Sequence, residues 1–421
     1  MRRLAVTFQG GGPGQNRPVQ LRRPRIREGT QEAVVTPLEL FFDLVFVFAL
    51  TQVTAYMAEV LTWHGVLRGV LIVMLLWWSW TGYAWIANVV SADQPQIKLV
   101  MLISMAAMFL MALCIPEAFD DAPGGLSGPI VLALCYLLFR LMHLVLFWIL
   151  SQNDRGLRRQ VLRFAPSVLG GTALLLVAAG FDGWTQTVLW MTALAVDYVG
   201  TALGGASGWR LPAPRHFAER HGLIVIVALG ESIVAIGVGV AQRPISAPII
   251  LASILGLLLA SAMWWAYFDV SALQGEHALS SEPIETRPRL GRNAFSFAHL
   301  PLMLGTVLTA LGVKKVLEYV SDTGHHTLAD PLTGVALGAL LGGVVLYLLG
   351  HVLFKRLTVH QLSVVRLVAA GAMLVAWPLA DELPALAQLG LVAGVLTAAL
   401  VVESVIWAEA RHEIRAELSR S

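Results

Sequence analysis

Along this chain, apolar residues gather into long runs that recur from about residue 37 to residue 408, separated by short polar gaps. A helix needs about 20 apolar residues to cross the hydrocarbon core of a bilayer. About twelve runs meet that length: 37–60, 65–88, 98–116, 128–151, 162–180, 185–203, 217–241, 247–271, 292–313, 332–354, 361–380 and 385–408. The pattern predicts an all-α polytopic membrane protein of about twelve transmembrane helices, with no room between them for a sizeable soluble domain. Residues 1–33 are rich in Gly, Pro and Arg and have no apolar run, so they read as a disordered basic tail rather than a signal peptide. Residues 411–421 read as a second short tail.

Polar residues interrupt the runs in a repeated order. The first run opens Glu39-Leu-Phe-Phe-Asp43-Leu-Val-Phe-Val-Phe-Ala-Leu-Thr-Gln52, and the seventh reads Glu219-Arg-His-Gly-Leu-Ile-Val-Ile-Val-Ala-Leu-Gly-Glu231. Aligned on their apolar cores, they set Gln52 opposite Glu231. Leu76-Trp-Trp-Ser-Trp80 matches Met263-Trp-Trp-Ala-Tyr267, and Asp197 in the sixth run matches Glu403 in the twelfth. The fifth and eleventh runs each carry an Arg followed by small residues, Arg163 and Arg366. The shared order predicts two parallel six-helix repeats, residues 34–205 and 206–410, about an axis along the membrane normal. The Trp-rich segments read as lipid-facing anchors, with the interface between the halves as the alternative.

Composition agrees: 57% of residues are hydrophobic and only 13% charged, and mean hydropathy is +0.71. With the N-terminus placed in the cytoplasm, outer loops hold Arg68, Arg243, Lys314 and Lys315, and Arg140 lies inside a run. The other 24 of 29 Lys and Arg then fall inside, so the positive-inside rule predicts both termini in the cytoplasm. A net charge of +2 gives no case for a nucleic-acid partner. Cys114 and Cys135 lie in apolar runs without metal-site spacing and read as inert core residues.

Carboxylates inside apolar runs are costly and need a reason. Thr36-Pro-Leu-Glu39 has the form of a capping box, which accounts for Glu39; Asp43, one turn deeper on the same face, reads as an ion-pair partner or a site residue. Glu231 falls near mid-membrane, where a charge costs about 2.5–3.5 kcal/mol, and must be protonated, paired or wet. Arg220 marks the same face about three turns earlier, too far from Glu231 to pair. Arg140 and His143 are embedded in the fourth run, with Arg140 expected to serve Asp43 or Glu231; Arg163 and Arg366 are expected to serve Asp197 and Glu403. His299 reads as a packed histidine, and His325-His326 lacks the spacing of a metal cage. No catalytic triad or phosphate-binding loop is evident, Gly10-Gly-Gly-Pro-Gly14 lacking the Lys-Ser/Thr end, so neither an enzyme nor a cofactor is expected.

Pro37-Leu-Glu-Leu-Phe-Phe-Asp-Leu-Val-Phe-Val and His216-Phe-Ala-Glu-Arg-His-Gly-Leu-Ile-Val-Ile-Val-Ala-Leu-Gly-Glu-Ser232 resemble the signature stretches of the bacterial low temperature requirement A family, over essentially residues 34–410. The resemblance implies a multi-pass bacterial inner-membrane protein linked to growth in the cold or under stress. It carries over Glu39, Asp43, Glu219 and Glu231, with Arg220 and His221, as motif residues, but supplies no substrate. The leading expectation is a secondary transporter of a small solute or an ion such as H⁺ or K⁺, its polar site drawn from these residues with Arg140, His143, Asp197 and Glu403. The first alternative is an ion channel: the opening helix is loosely similar to that of endolysosomal potassium channels, which would make Leu44, Val47 and Leu50 a constriction. The second is a membrane scaffold.

Overall fold

The computed structural model describes residues 33–406 apart from Gln242, so the two tails, residues 1–32 and 407–421, lie outside the described residues. Those described form helices α1 (Pro37–Glu59), α2 (Trp63–Val89), α3 (Pro95–Leu113), α4 (Gly128–Leu150), α5 (Arg155–Ala178), α6 (Gly183–Leu203) and α7 (Pro214–Gly239). Then follow α8 (Ala247–Phe268), α9 (Ser271–Ser281), α10 (Arg287–Leu290), α11 (His299–Ser321), α12 (Gly334–Thr358), α13 (Val364–Ala380) and α14 (Ala385–Ile406). No strand occurs among them. Each of the twelve apolar runs became a helix, and ten are long and apolar enough to cross a membrane. The two that fall short are α6, diluted by Thr, Gln and Asp, and α13, only 17 residues long.

Burial separates central from peripheral helices. In α2, 89% of the apolar window is buried and every residue from Leu75 to Val90 is covered, so its hydrophobicity on all sides reflects enclosure by protein. α14 is at the rim, with 28% of its window buried and Val401, Val402, Val405 and Ile406 outward. α1 packs on α2, α3, α7 and α11, and α7 packs on α1, α2, α8, α9 and α11. One continuous apolar core runs through all of these.

The closest helix pair is α11 with α12, where backbones touch through glycine. A Cβ at Gly305 would sit 2.5 Å from the backbone nitrogen of Tyr347, one at Gly312 2.5 Å from the Cα of Leu340, and one at Gly343 2.6 Å from the nitrogen of Thr309. Small residues allow this approach, and lipid-embedded helices gain attraction from it.

Two elements were not legible in the pattern. The polar α9 occupies what reads as a loop, tied to α7 by Arg215–Glu276 at 3.0 Å. Residues Gly291–Phe297 form a π-helical segment leading into α11, in which the Ala298 amide bonds the Asn293 carbonyl at 3.0 Å. Such segments insert one residue per turn and re-aim the side chains that follow. Lys314 and Lys315, expected in an outer loop, lie inside α11, with Lys315 paired to Glu318 at 2.7 Å. Arg68 is likewise inside α2 and buried, bonding Asp120 at 3.1 Å and the Gly183 carbonyl at 3.1 Å.

Candidate functional site

The polar residues of the two signature stretches meet between α1 and α7. α1 starts at a complete capping box: Thr36 is the N-cap, Pro37 follows, and the Glu39 carboxylate accepts from the Thr36 amide at 2.6 Å and hydroxyl at 2.9 Å. Its other oxygen faces His216 Nε2 of α7 at 2.9 Å. One turn deeper, Asp43 receives both Nη groups of Arg220 at 2.9 Å and the indole N–H of Trp80 at 2.8 Å. Two turns further, the Thr51 hydroxyl contacts the Glu231 carboxylate.

These three rungs join residues 177, 177 and 180 positions apart, so α1 and α7 run side by side in the same direction. Each of Glu39, Asp43, His216, Arg220 and Glu231 is at most 1% exposed. A desolvated ion pair needs its remaining donors and lone pairs filled, and Asp43 meets that condition through the Arg220 fork and the indole. Glu231 differs, because among the described residues no Lys, Arg or His lies within ion-pair distance of it. Thr51 holds one hydroxyl proton but faces two acceptors, the Val47 carbonyl at 3.2 Å and Glu231. With Glu231 protonated, the acid donates to Thr51 and Thr51 donates to Val47. With Glu231 ionised, Thr51 turns its proton to the carboxylate. The contact therefore serves either charge state.

His221 follows Arg220 on α7, with Nδ1 donating to the Phe217 carbonyl at 2.8 Å, which leaves the Nε2 lone pair free, without a partner. Its ring stands edge-on to Trp80 at 5.0 Å and to His299 at 5.2 Å. His299 is packed as expected, with Tyr267 hydroxyl at 2.8 Å from Nε2 and the Ala294 carbonyl of the π segment at 2.9 Å from Nδ1. Glu219 stands apart, exposed on the outer side of α7.

The remaining predicted residues form two separate clusters. Arg140 of α4 gives Nη2 to both oxygens of Asp197 on α6, at 2.9 and 2.8 Å, and Tyr136 donates to the same carboxylate at 3.1 Å. Arg140 therefore serves neither Asp43 nor Glu231; Asp43 is filled by Arg220, which the parallel register of α7 delivers. Arg163 is exposed and does not reach Asp197. His143, one turn after Arg140, is buried with both ring nitrogens unpartnered. Glu403 of α14 takes Arg366 Nε at 3.0 Å, as expected, and also Lys355 Nζ of α12 at 3.0 Å.

Sequence reasoning missed Thr51, Trp80, His216 and Lys355. His216 had a signal: acids at 39 and 43 and bases at 216 and 220 share a four-residue spacing. The first Trp segment is not a lipid anchor, since Trp77 and Trp80 are fully buried, with Trp77 donating to the Ser296 carbonyl at 2.7 Å. Trp264 and Trp265 of the second segment are about half exposed, at 48% and 50%.

Among the described residues, no group of three or more His, Cys, Asp or Glu could hold a metal ion. No solved structure matches the chain. An uncharacterized protein of Rhizobium meliloti (strain 1021) is 27% identical over 346 residues, covering 79% of this chain and 80% of that protein. The family model of the bacterial low temperature requirement A protein matches residues 34–402. With nearly the whole helical body matched and ten apolar spans in it, the chain is a multi-pass membrane protein of the bacterial low temperature requirement A (LtrA) family.

Proposed function

We propose that this protein is a secondary transporter of a small solute or ion in the bacterial inner membrane, with Glu231 carrying the coupling proton. The observation that supports this reading is Glu231 itself: a buried acid about two-thirds of the way along α7, with no cation within ion-pair distance among the described residues, on a hydroxyl that accommodates both of its charge states. In this reading Asp43, Arg220, Glu39 and His216 clamp α1 to α7.

We further propose that the helices form two parallel six-helix repeats, with both termini cytoplasmic. The parallel run of α1 beside α7 supports the repeats. So does a recurring pair, in which a cation of the fourth long helix meets the acid of the sixth: Arg140 with Asp197, then Lys355 with Glu403. The basic inner loops support the orientation.

The test is flux through purified protein in liposomes, scanning K⁺, Na⁺ and H⁺ and then small solutes under an imposed pH gradient. Proton-linked flux lost in Glu231→Gln, with folded protein recovered at wild-type yield, is the expected result. Undiminished coupled flux in that variant overturns the assignment of Glu231. Flux that runs down the ion's own gradient and ignores the pH gradient replaces the transporter with a channel.

A further inference from the structure

The Arg140 guanidinium is only partly spent by Asp197. Its Nε and Nη1 find no acceptor, although the residue is 1% exposed. Arg140 lines a cavity of about 40 Å³ between α2, α4, α5, α6 and the π segment, whose wall also includes Trp78, Gly82, His143, Thr201 and Arg292. The indole N–H of Trp78 and both nitrogens of His143 are likewise buried and unpartnered. Native structures rarely leave such groups unmatched, and unpartnered groups on three residues lining one void call for an occupant.

The chemistry of the wall selects the occupant. The hydroxyl protons of Thr81 and Thr201 already go to the Trp78 and Asp197 carbonyls, and the Ser296 hydroxyl receives the Trp85 indole. What remains unspent is mostly donors: the Arg140 and Trp78 N–H groups, the Ser296 hydroxyl proton and one imidazole N–H, against a single imidazole lone pair. Charge points the same way. Asp197 balances Arg140, whereas Arg292 has no carboxylate within ion-pair distance among the described residues and bonds only Asn293 Oδ1 and the Thr201 and Ala202 carbonyls. A void of this size exceeds what a single water needs, and one anion can accept from several of these donors at once, whereas a water oxygen accepts from at most two. Gly82 keeps the void open for the imidazole, since a Cβ there would lie 2.8 Å from His143 Cε1.

We propose that this cavity is a binding site for a small monovalent anion, of halide, nitrate or formate size, held by Arg140 Nε and Nη1, Trp78 Nε1 and His143. The site uses different helices from Glu231 and stands independently of any proton-coupled cycle there. Its occupancy would hold α2, α4 and the π segment together, with Arg140 shared between the anion and Asp197.

The test uses the full-length protein in detergent, with its melting temperature followed as sodium chloride, bromide, nitrate or formate replaces sodium gluconate at constant ionic strength. The expected result is a saturable rise with each small anion and none with sulfate. Trp78→Phe keeps the ring and the Arg140–Asp197 pair, and should raise the half-saturating concentration about tenfold, the loss of roughly 1.4 kcal/mol. His143→Phe provides the same reading where Trp78→Phe folds poorly in gluconate. The absence of a saturable rise, or a rise unchanged in both variants, overturns the proposal and leaves the cavity to water.

Discussion

Asp43 and Arg220 form a two-pronged ion pair across α1 and α7, both N···O distances 2.9 Å and both side chains 1% exposed. Breaking a buried pair from one side leaves an uncompensated charge and costs about 3–5 kcal/mol, whereas replacing both partners with apolar groups is often neutral. Asp43→Leu and Arg220→Met should each lower the melting temperature sharply in detergent, and the double variant should recover most of the loss. A double variant no more stable than the singles would show that Trp80 and the surrounding polar groups, not the pair, fix the two helices.

Thr51 should matter to transport through its hydroxyl rather than its shape. Thr51→Val keeps the volume and removes the hydroxyl that contacts Glu231, and a hydrogen bond to a charged group is worth about 1.5–3 kcal/mol. The expected outcome is a ten- to hundred-fold lower coupled flux and a displaced pH profile, with Thr51→Ser close to wild type. Equal flux in Thr51→Val would detach the hydroxyl from the cycle.

Neighbouring glycines on α12 should respond in opposite ways. A Cβ at Gly343 collides with the Thr309 backbone, while one at Gly342 meets nothing within 4 Å. Gly343→Ala should cost about 1–3 kcal/mol through overpacking, and Gly342→Ala should be neutral or stabilise by up to about 1 kcal/mol. Thermal unfolding of the two variants side by side checks this.

Asp154, outside the spans, caps α5. Partial burial pushes its carboxyl upward, but the Leu157 amide, the Arg210 guanidinium and the Gly156 amide outweigh it and hold the group below the ordinary aspartate value of about 3.9. A depressed value means stability present above that pH and lost as acid protonates the folded form. Wild type should therefore exceed Asp154→Asn by a few tenths to about 1 kcal/mol at pH 6, a margin that closes as the pH falls below about 3.9. A margin constant down to pH 3 would contradict it.

The helices were legible because each apolar run had to satisfy its own backbone, and Thr36-Pro-Leu-Glu39 announced where α1 begins. Partners were not legible, because a run states that a charge is buried and not which neighbour the packing brings. Asp197 illustrates this: Arg163 lies nearer in sequence, yet the side chain that reaches it is Arg140. Trp80 was read by its typical place at membrane interfaces, and only the enclosure of α2 reveals it as the donor to Asp43. The π segment left no trace, since one extra residue in a turn alters no periodicity that a reader can detect over seven positions.

The clamp between α1 and α7 also sets a timetable for synthesis. Asp43 enters the membrane 177 residues before Arg220 has been made. At translation rates of roughly 5–20 residues per second, the interval is about 9–35 s. Through that interval the nascent first helix holds two acids without their basic partners, either protonated, snorkelling toward water or sheltered by the insertion machinery. The final arrangement of the first half is thus completed by the arrival of the seventh helix, and a polypeptide that stops before it is a natural substrate for membrane quality control.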